Sequence, residues 1–499
     1  MIIRHFKVIN MQNAYINRKL VAVFLLVLFC SSSCKKILDL QPHNSTFTDA
    51  YFKTGQDANT AIAGAYALLR SVLLNNYSWH VYGDLPSGEY SVNGGLDAFN
   101  QPICNGQFIG LNVGPWEWNW QNYYQVLQQV NLIIAKVPEI PASAFTNPDL
   151  RNQIIGEAYF LRAYVYFYMS RIWGDVPLKL APDLDVSQAQ TIPRSPATTI
   201  WAQCLADCQT AESNLVFGYA DLSQTAVRAN RGSVLALKAH IQAWKHDYSA
   251  CEKTADTLIR QGGYQLEDSA HYAQVFIGKS REGIFEINVN YGQNEGIATA
   301  GNGGGYLPTL ARPFIANQGN LNWPINHDYV INLYSDTADI RYAKFFYQAY
   351  TSNQGQTIKY SNIYYADGSS QNDPRLSNNL NIFRLPDILL LRAEALNKLG
   401  RDGEALPLLN AVKARAGIAD YTGAGGTDMG REILEERLRE LFFEGQAYYD
   451  LIRTGLLLDY NENFSPDQYY NGGWVWPIDP SMFKDDFTLV QTKYWQGKL

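Results

Sequence analysis

Arg231-Gly-Ser-Val-Leu-Ala-Leu-Lys-Ala-His-Ile-Gln-Ala-Trp-Lys245 is followed by His246-Asp-Tyr248 and then by Ser249-Ala-Cys-Glu-Lys-Thr-Ala-Asp-Thr-Leu-Ile-Arg-Gln261. Both flanks repeat apolar residues at the spacing of an amphipathic helix. The tripeptide between them leaves room only for a tight turn, so the stretch predicts two antiparallel helices. Ala236 and Ala239 are small enough to let a neighbouring helix come close. The same plan recurs at Leu385–Leu399, where Ile388, Leu391, Ala395 and Leu399 share a face, Gly400-Arg-Asp-Gly403 turns the chain and Glu404–Ala416 returns.

Helix–turn–helix units with small residues at packing positions resemble tetratricopeptide repeats. Asp247-Tyr248-Ser249 and Ala250 add to that likeness. Two earlier pairs, about 57–74 with 120–137 and 152–173 with 197–217, are separated by longer loops. Helical periodicity therefore covers about 57–262, broken by a loop between Asn75 and Val113, and about 385–458. Between them, residues 264–381 are rich in Gly, Asn, Tyr and Ser and lack a sustained helical period. A segment this long is expected to pack on the helices as an irregular, loop-rich insertion. Gly283-Ile-Phe-Glu-Ile-Asn-Val-Asn290 alternates like a short strand.

The chain has 499 residues and a net charge of −7, so no basic field is available to hold nucleic acid. Charged residues are 17%, aromatics 13%, with 33 Tyr and 11 Trp. Such a mixture serves either sugar or peptide recognition or a large aromatic core, and composition does not separate the two. Cys104, Cys204, Cys208 and Cys251 read as small buried apolar residues. The His residues are scattered without zinc spacing, so no zinc site is expected; no cofactor is expected either, and calcium among the loop carboxylates stays an open alternative.

At the N-terminus, Arg18 and Lys19 precede the apolar run Leu20–Phe29, and Cys30-Ser-Ser-Ser33 leads to Cys34-Lys-Lys36. The run is far shorter than the roughly 20 residues that span a bilayer, and its flanks are those of a secretory signal. A cysteine after small residues resembles a bacterial lipobox, with Cys34 the acylated residue and 1–33 the signal peptide. An ordinary secretory peptide cut near Ser33 is the plainer alternative. Acyl chains would anchor residues 34–499 to a membrane surface without a spanning helix.

Several blocks resemble the SusD/RagB outer-membrane lipoproteins. Glu157-Ala-Tyr-Phe-Leu-Arg-Ala-Tyr-Val-Tyr-Phe-Tyr-Met-Ser-Arg-Ile-Trp-Gly-Asp-Val-Pro-Leu178 looks like their hallmark helix and exit turn, and Cys34–Pro42 like their mature N-terminus. Phe383–Asn397, Glu435–Gly455, Trp476–Asp479 and Gln491–Trp495 follow in the family order. Asp479 stands where the family usually has Pro, and Gln491-Thr492 where it usually has Gln-Asn. The resemblance implies a predominantly α-helical fold of about four tetratricopeptide-like helix pairs in a right-handed superhelical scaffold. It also implies a surface-exposed outer-membrane lipoprotein that binds oligosaccharide or polysaccharide and passes it to a SusC-like TonB-dependent transporter. No bond-breaking activity is expected.

Sugars call for aromatic platforms and polar groups on loops held by a rigid scaffold. Two loops offer them. One carries Trp79, Tyr82, Asp84, Glu89, Tyr90, Asn93, Asp97 and Asn100; the other carries Tyr291, Asn294, Tyr306, Asn322 and Trp323 beside Gly301–Gly305. The candidate ligand contacts are Trp79, Tyr82, Asp84, Tyr90, Asn100, Tyr291, Tyr306, Asn322 and Trp323. Trp116-Glu-Trp-Asn-Trp120 reads instead as core of the first pair. Glu436, Glu440 and Glu444, with Arg437, Arg439 and Arg453, recur at helical spacing and read as scaffold charges on a helix surface. A peptide ligand is the alternative. A helical glycosidase or lyase using Asp84, Glu89 or Asp97 is the remote one.

Overall fold

Asn147 and Pro148 begin the longest helix for local reasons. The Asn147 side chain accepts from the Asp149 amide at 2.9 Å, and Pro148 occupies the first turn, where no amide is needed. The computed structural model describes residues 51–74, 77–91, 96, 98, 100–108, 119–185, 190–290, 292, 295, 307–352, 354–365 and 374–498. The expected signal and Cys34, the candidates Tyr291 and Tyr306, and Asn93, Asp97, Trp116 and Asn294 lie outside them. The chain divides into a body, Phe52–Asp183 with Ala189–Leu499, and a second unit, Met1–Tyr51 with Leu184–Gln188. Of the second unit only Tyr51, Leu184 and Asp185 are described.

The body is predominantly α-helical. Its principal helices are α1 (Gly55–Leu74), α2 (Gln121–Lys136), α3 (Pro148–Trp173), α4 (Ala197–Asn214), α5 (Arg231–Trp244), α6 (Tyr248–Gln261), α7 (Leu385–Lys398), α8 (Asp402–Arg415), α9 (Thr427–Glu440) and α10 (Ala447–Thr454). Each packs on the next from α1 to α8, giving the pairs α1/α2, α3/α4, α5/α6 and α7/α8, and α9 lies against α7. These are the four tetratricopeptide-like pairs. Caps set the starts of α5 and α6. Asn230 and Ser233 form a reciprocal capping box on α5, and Asp247 accepts from the Ala250 amide at 3.1 Å to open α6.

Between α6 and α7 the chain makes short antiparallel strand pairs. These are β3 (Gly283–Ile287) with β8 (Leu380–Arg384), β4 (Phe346–Tyr347) with β5 (Gln356–Thr357), and β6 (Ile363–Tyr365) with β7 (Pro374–Leu376). A further pair, β1 (Val176–Pro177) with β2 (Arg194–Ser195), follows α3. Within β3 the Glu286 carboxyl is enclosed, accepting from the Lys279 amide and the Asn379 side chain. Burial pushes it up to about 7 against those two hydrogen bonds. A folded-state value above the unfolded one contributes stability at low pH that is lost as pH rises to the folded value. Glu286→Gln should therefore gain on the wild type between about pH 4.5 and pH 7, by on the order of 3 kcal/mol, and gain no more above pH 7. Urea unfolding of both proteins across that range is the check; parallel curves would refute it.

The aromatic residues fill the interior. Every residue of α3 from Phe160 to Trp173 is buried. Trp79 stacks on Tyr168 at 5.5 Å, Tyr82 meets Trp173 and Trp476 edge-on at 5.7 and 5.0 Å, and Phe108 stacks on Trp476 at 4.3 Å. Trp120 is buried against Trp173, as expected of a core residue. Arg162 and Arg171 of the same helix are buried too. Arg162 forms a bidentate pair with Asp207 of α4, and Arg171 lies over the Tyr449 ring at 4.1 Å. Cys104, Cys204, Cys208 and Cys251 are buried and unbridged.

The row of glutamates at the end of α9 and in the turn beyond it is not a set of surface charges either. Glu436, Glu440 and Glu444 are sealed in the body, as are Arg437, Arg439 and Arg453. Arg341 bonds Asp339, Glu436 and Glu440; Arg384 bonds Glu282, Glu440 and Glu444; Arg415 bonds Glu282 and Glu440. Lys359 completes the cluster with three hydrogen bonds, to the Glu440 and Phe442 carbonyls and to Glu444. Burial raises Glu440, but Arg415, Arg384 and Arg341 override it and hold the carboxyl well below its usual range. The network ties the insertion to the C-terminal helices.

Candidate functional site

The turn Phe443–Gln446 between α9 and α10 is the platform on which the first candidate loop sits. Gly445 has φ +69°, and a Cβ there would lie 2.3 Å from Trp79 Cε2. A Cβ on Gly83 would lie 2.2 Å from the Gly445 carbonyl oxygen, so both positions need glycine for the two segments to meet. The Gly445 amide donates to both Asp84 carboxyl oxygens at 2.9 and 3.0 Å. His80 Nδ1 lies 2.6 Å from Asp84, and its ring stacks on Phe443 at 3.7 Å.

From this anchor the chain runs to the second candidate loop and is stitched to it. Tyr90 pairs with Ile325 in an antiparallel bridge, and the Ser91 amide donates to the Pro324 carbonyl at 3.0 Å. The Asn326 amide donates to the Glu89 carbonyl at 2.7 Å, and its side chain donates to the Gly88 carbonyl at 3.1 Å. Asn326 also caps the short helix His327–Leu333 by accepting from the Tyr329 amide. A third strip, Asp459–Asn463, closes the arrangement through Asn461, whose buried amide donates to the Pro86 and Cys104 carbonyls at 2.9 and 2.8 Å.

These three strips enclose a cleft of about 700 Å³. Ser91, Asn326, His327, Asn332 and Asn463 present polar groups to it, with Tyr460 on one wall. The carboxylates Asp328, Glu435, Asp459 and Glu462 complete the lining. The Tyr460 hydroxyl donates to Glu435 at 3.0 Å, and Arg431 pairs with Asp459 at 2.8 Å. Amides and carboxylates on backbone held this firmly suit a ligand rich in hydroxyls. Among the described residues, no cluster of His, Cys, Asp and Glu could hold a metal ion.

The candidate residues read from sequence fare unevenly. Trp79, Tyr82, Tyr90 and Trp323 are only 1–2% exposed, so as structured none presents a ring face to a ligand. Asp84 is fully buried by its bonds to Gly445 and His80. The expectation of exposed platforms at these five positions is corrected: they are the packed base of the loops, and of them only Tyr90 borders the cleft. Glu89 is sealed as well; burial, with Asp84 beside it, pushes its carboxyl well above the usual range. Neither carboxylate is exposed to a substrate, as a glycosidase pair must be. Asn100 is half-buried, and Asn322 is exposed, its amide donating to the Pro308 carbonyl.

Sequence reading missed Asn326, His327, Asp328, Asn332 and the strip Asp459–Asn463. Asn326 before His327-Asp328 is a helix-start signal that could have been read. Nothing local marks residues 459–463 as facing loops from the other end of the chain.

Residues 306–495 match the SusD family, and residues 106–242 match a family described as starch-binding associating with outer membrane. A SusD-like protein of Formosa agariphila is 26% identical over 88% of this chain and 91% of its own length. A SusD homolog from Bacteroides thetaiotaomicron superposes with a TM-score of 0.76 at 26% identity, covering 89% of this chain and 98% of that one. A laminarin binding SusD-like protein has the same fold, with a TM-score of 0.69 at 19% identity over 89% of this chain and all of its own. Among the described residues, no helix is long and apolar enough to cross a membrane.

Proposed function

The chain belongs to the SusD/RagB family, and from that premise we propose that it captures oligosaccharide at the outer-membrane surface and delivers it to a SusC-like TonB-dependent transporter. The observation that carries this reading is the polar cleft built where loops 84–91 and 322–333 are sewn together on the helical body. Its amides and carboxylates accept and donate as a sugar rim requires. The starch-binding description of one matching family and the laminarin-binding neighbour support a glycan ligand. Acylation at Cys34 would hold the body at the membrane without a spanning segment. The protein binds and presents its ligand and breaks no bond.

Full-length protein in neutral detergent, run through native gels cast with single polysaccharides, is expected to be slowed by one class of glycan and to release no shorter sugars from it. Free mobility in every glycan, with retention of a peptide library, would replace this reading by peptide capture. Recovery of a β-barrel transporter after cross-linking in intact outer membranes tests the delivery step.

A further inference from the structure

We infer that the cleft at Asp459–Asn463 is selective for uncharged, hydroxyl-rich oligosaccharides and turns away acidic ones; the inference rests on the glycan reading above. Four carboxylates, Asp328, Glu435, Asp459 and Glu462, line it, and none of its described lining side chains is Lys or Arg. The nearby cations are already engaged. Arg431 pairs with Asp459 at 2.8 Å, and Arg439 bonds Glu436 and Glu432 at 2.9 and 2.8 Å while standing 3.8 Å from Glu435. Asp328 and Glu462 are exposed and have no cation within ion-pair distance among the described residues, so the cleft carries surplus negative charge.

The lining also favours a ligand that hydrogen-bonds over an apolar one. Sugar hydroxyls donate to carboxylates in charge-assisted bonds, whereas a uronate or sulfate would face like charge across a few ångströms. Asn332 and Asn463, both exposed in the lining, can serve the remaining ring and hydroxyl oxygens as donors.

The test is calorimetry on the full-length protein with neutral gluco-oligosaccharides and polyuronate oligosaccharides of matched length, at low and high ionic strength. The neutral ligand should bind at both, with the uronate at least about tenfold weaker at low ionic strength and the gap narrowing as salt screens the charge. Asp328→Asn with Glu462→Gln removes charge at exposed positions. This double variant should narrow the ratio of neutral to uronate affinity by about tenfold, whatever it costs the neutral ligand. A uronate that binds the wild type as tightly as the neutral sugar overturns the inference alone and leaves the glycan reading standing. Binding of neither class overturns the glycan reading and the inference with it.

Discussion

Arg384→Met should cost about 4 kcal/mol or more of folding stability, the largest effect expected of any single substitution in this protein. Arg384 is 1% exposed, and its donors all have partners. Nε and Nη2 grip Glu444 at 2.7 Å each, Nη2 also meets the Glu440 carbonyl at 2.7 Å, and Nη1 joins Glu282 at 3.0 Å with Glu440. Methionine fills part of the volume but leaves three sealed carboxylates sharing fewer cations. An uncompensated buried charge is what makes breaking such a network so costly. Urea unfolding at neutral pH measures the loss, and a difference under about 1 kcal/mol would refute the role given to the network.

Acid gives a second reading of the same cluster. Glu440 has a folded-state value below its unfolded one, so its contribution is present above the unfolded carboxylate range near 4.3 and is lost as pH falls through the folded value. The deficit of Arg384→Met should therefore shrink on acidification, because the stranded carboxyls accept protons. Arg384→Lys keeps the charge as a single point without the planar fork and should fall between the two.

The helix pairs were legible because their signals are local. Periodicity, a turn such as His246-Asp-Tyr248, and caps such as Asn230 and Asp247 all act within a few residues, and the helices start and stop close to where they predict. The charged rows on α9 misled for the opposite reason. Spacing of four places Glu436, Glu440 and Glu444 in line along the chain but says nothing of what covers the line. Their partners Arg341 and Lys359 come from the insertion and Arg384 from the end of β8, 56 to 99 positions away, and only the folded chain brings them together. The loop aromatics misled in the same manner. Polar neighbours such as Asp84 and Asn322 suggested solvent, whereas the glycines at 83 and 445 allow backbone segments to close over the rings. The cleft lies along seams between distant strips, and of its lining only the stretch beside Tyr90 was in view from sequence.

Trp323 separates the two readings most sharply. As a sugar platform it would be exposed, and its loss would weaken binding while leaving the fold alone. It is instead 1% exposed, packed edge-on against Tyr77 at 5.2 Å and Tyr90 at 5.6 Å, in the segment whose backbone is sewn to Ser91 and Glu89. Trp323→Ala should leave a cavity and cost about 3–5 kcal/mol of stability. Trp323→Phe keeps an aromatic ring in place and should recover most of that. Because the cavity lies under the stitch between the loops, glycan retardation by Trp323→Ala should return when the protein is stabilised by cooling or osmolyte. A ligand contact, once deleted, would not return. If Trp323→Ala unfolds at the wild-type urea midpoint yet no longer binds, the ring reaches the ligand after all, and the loops must open to present it.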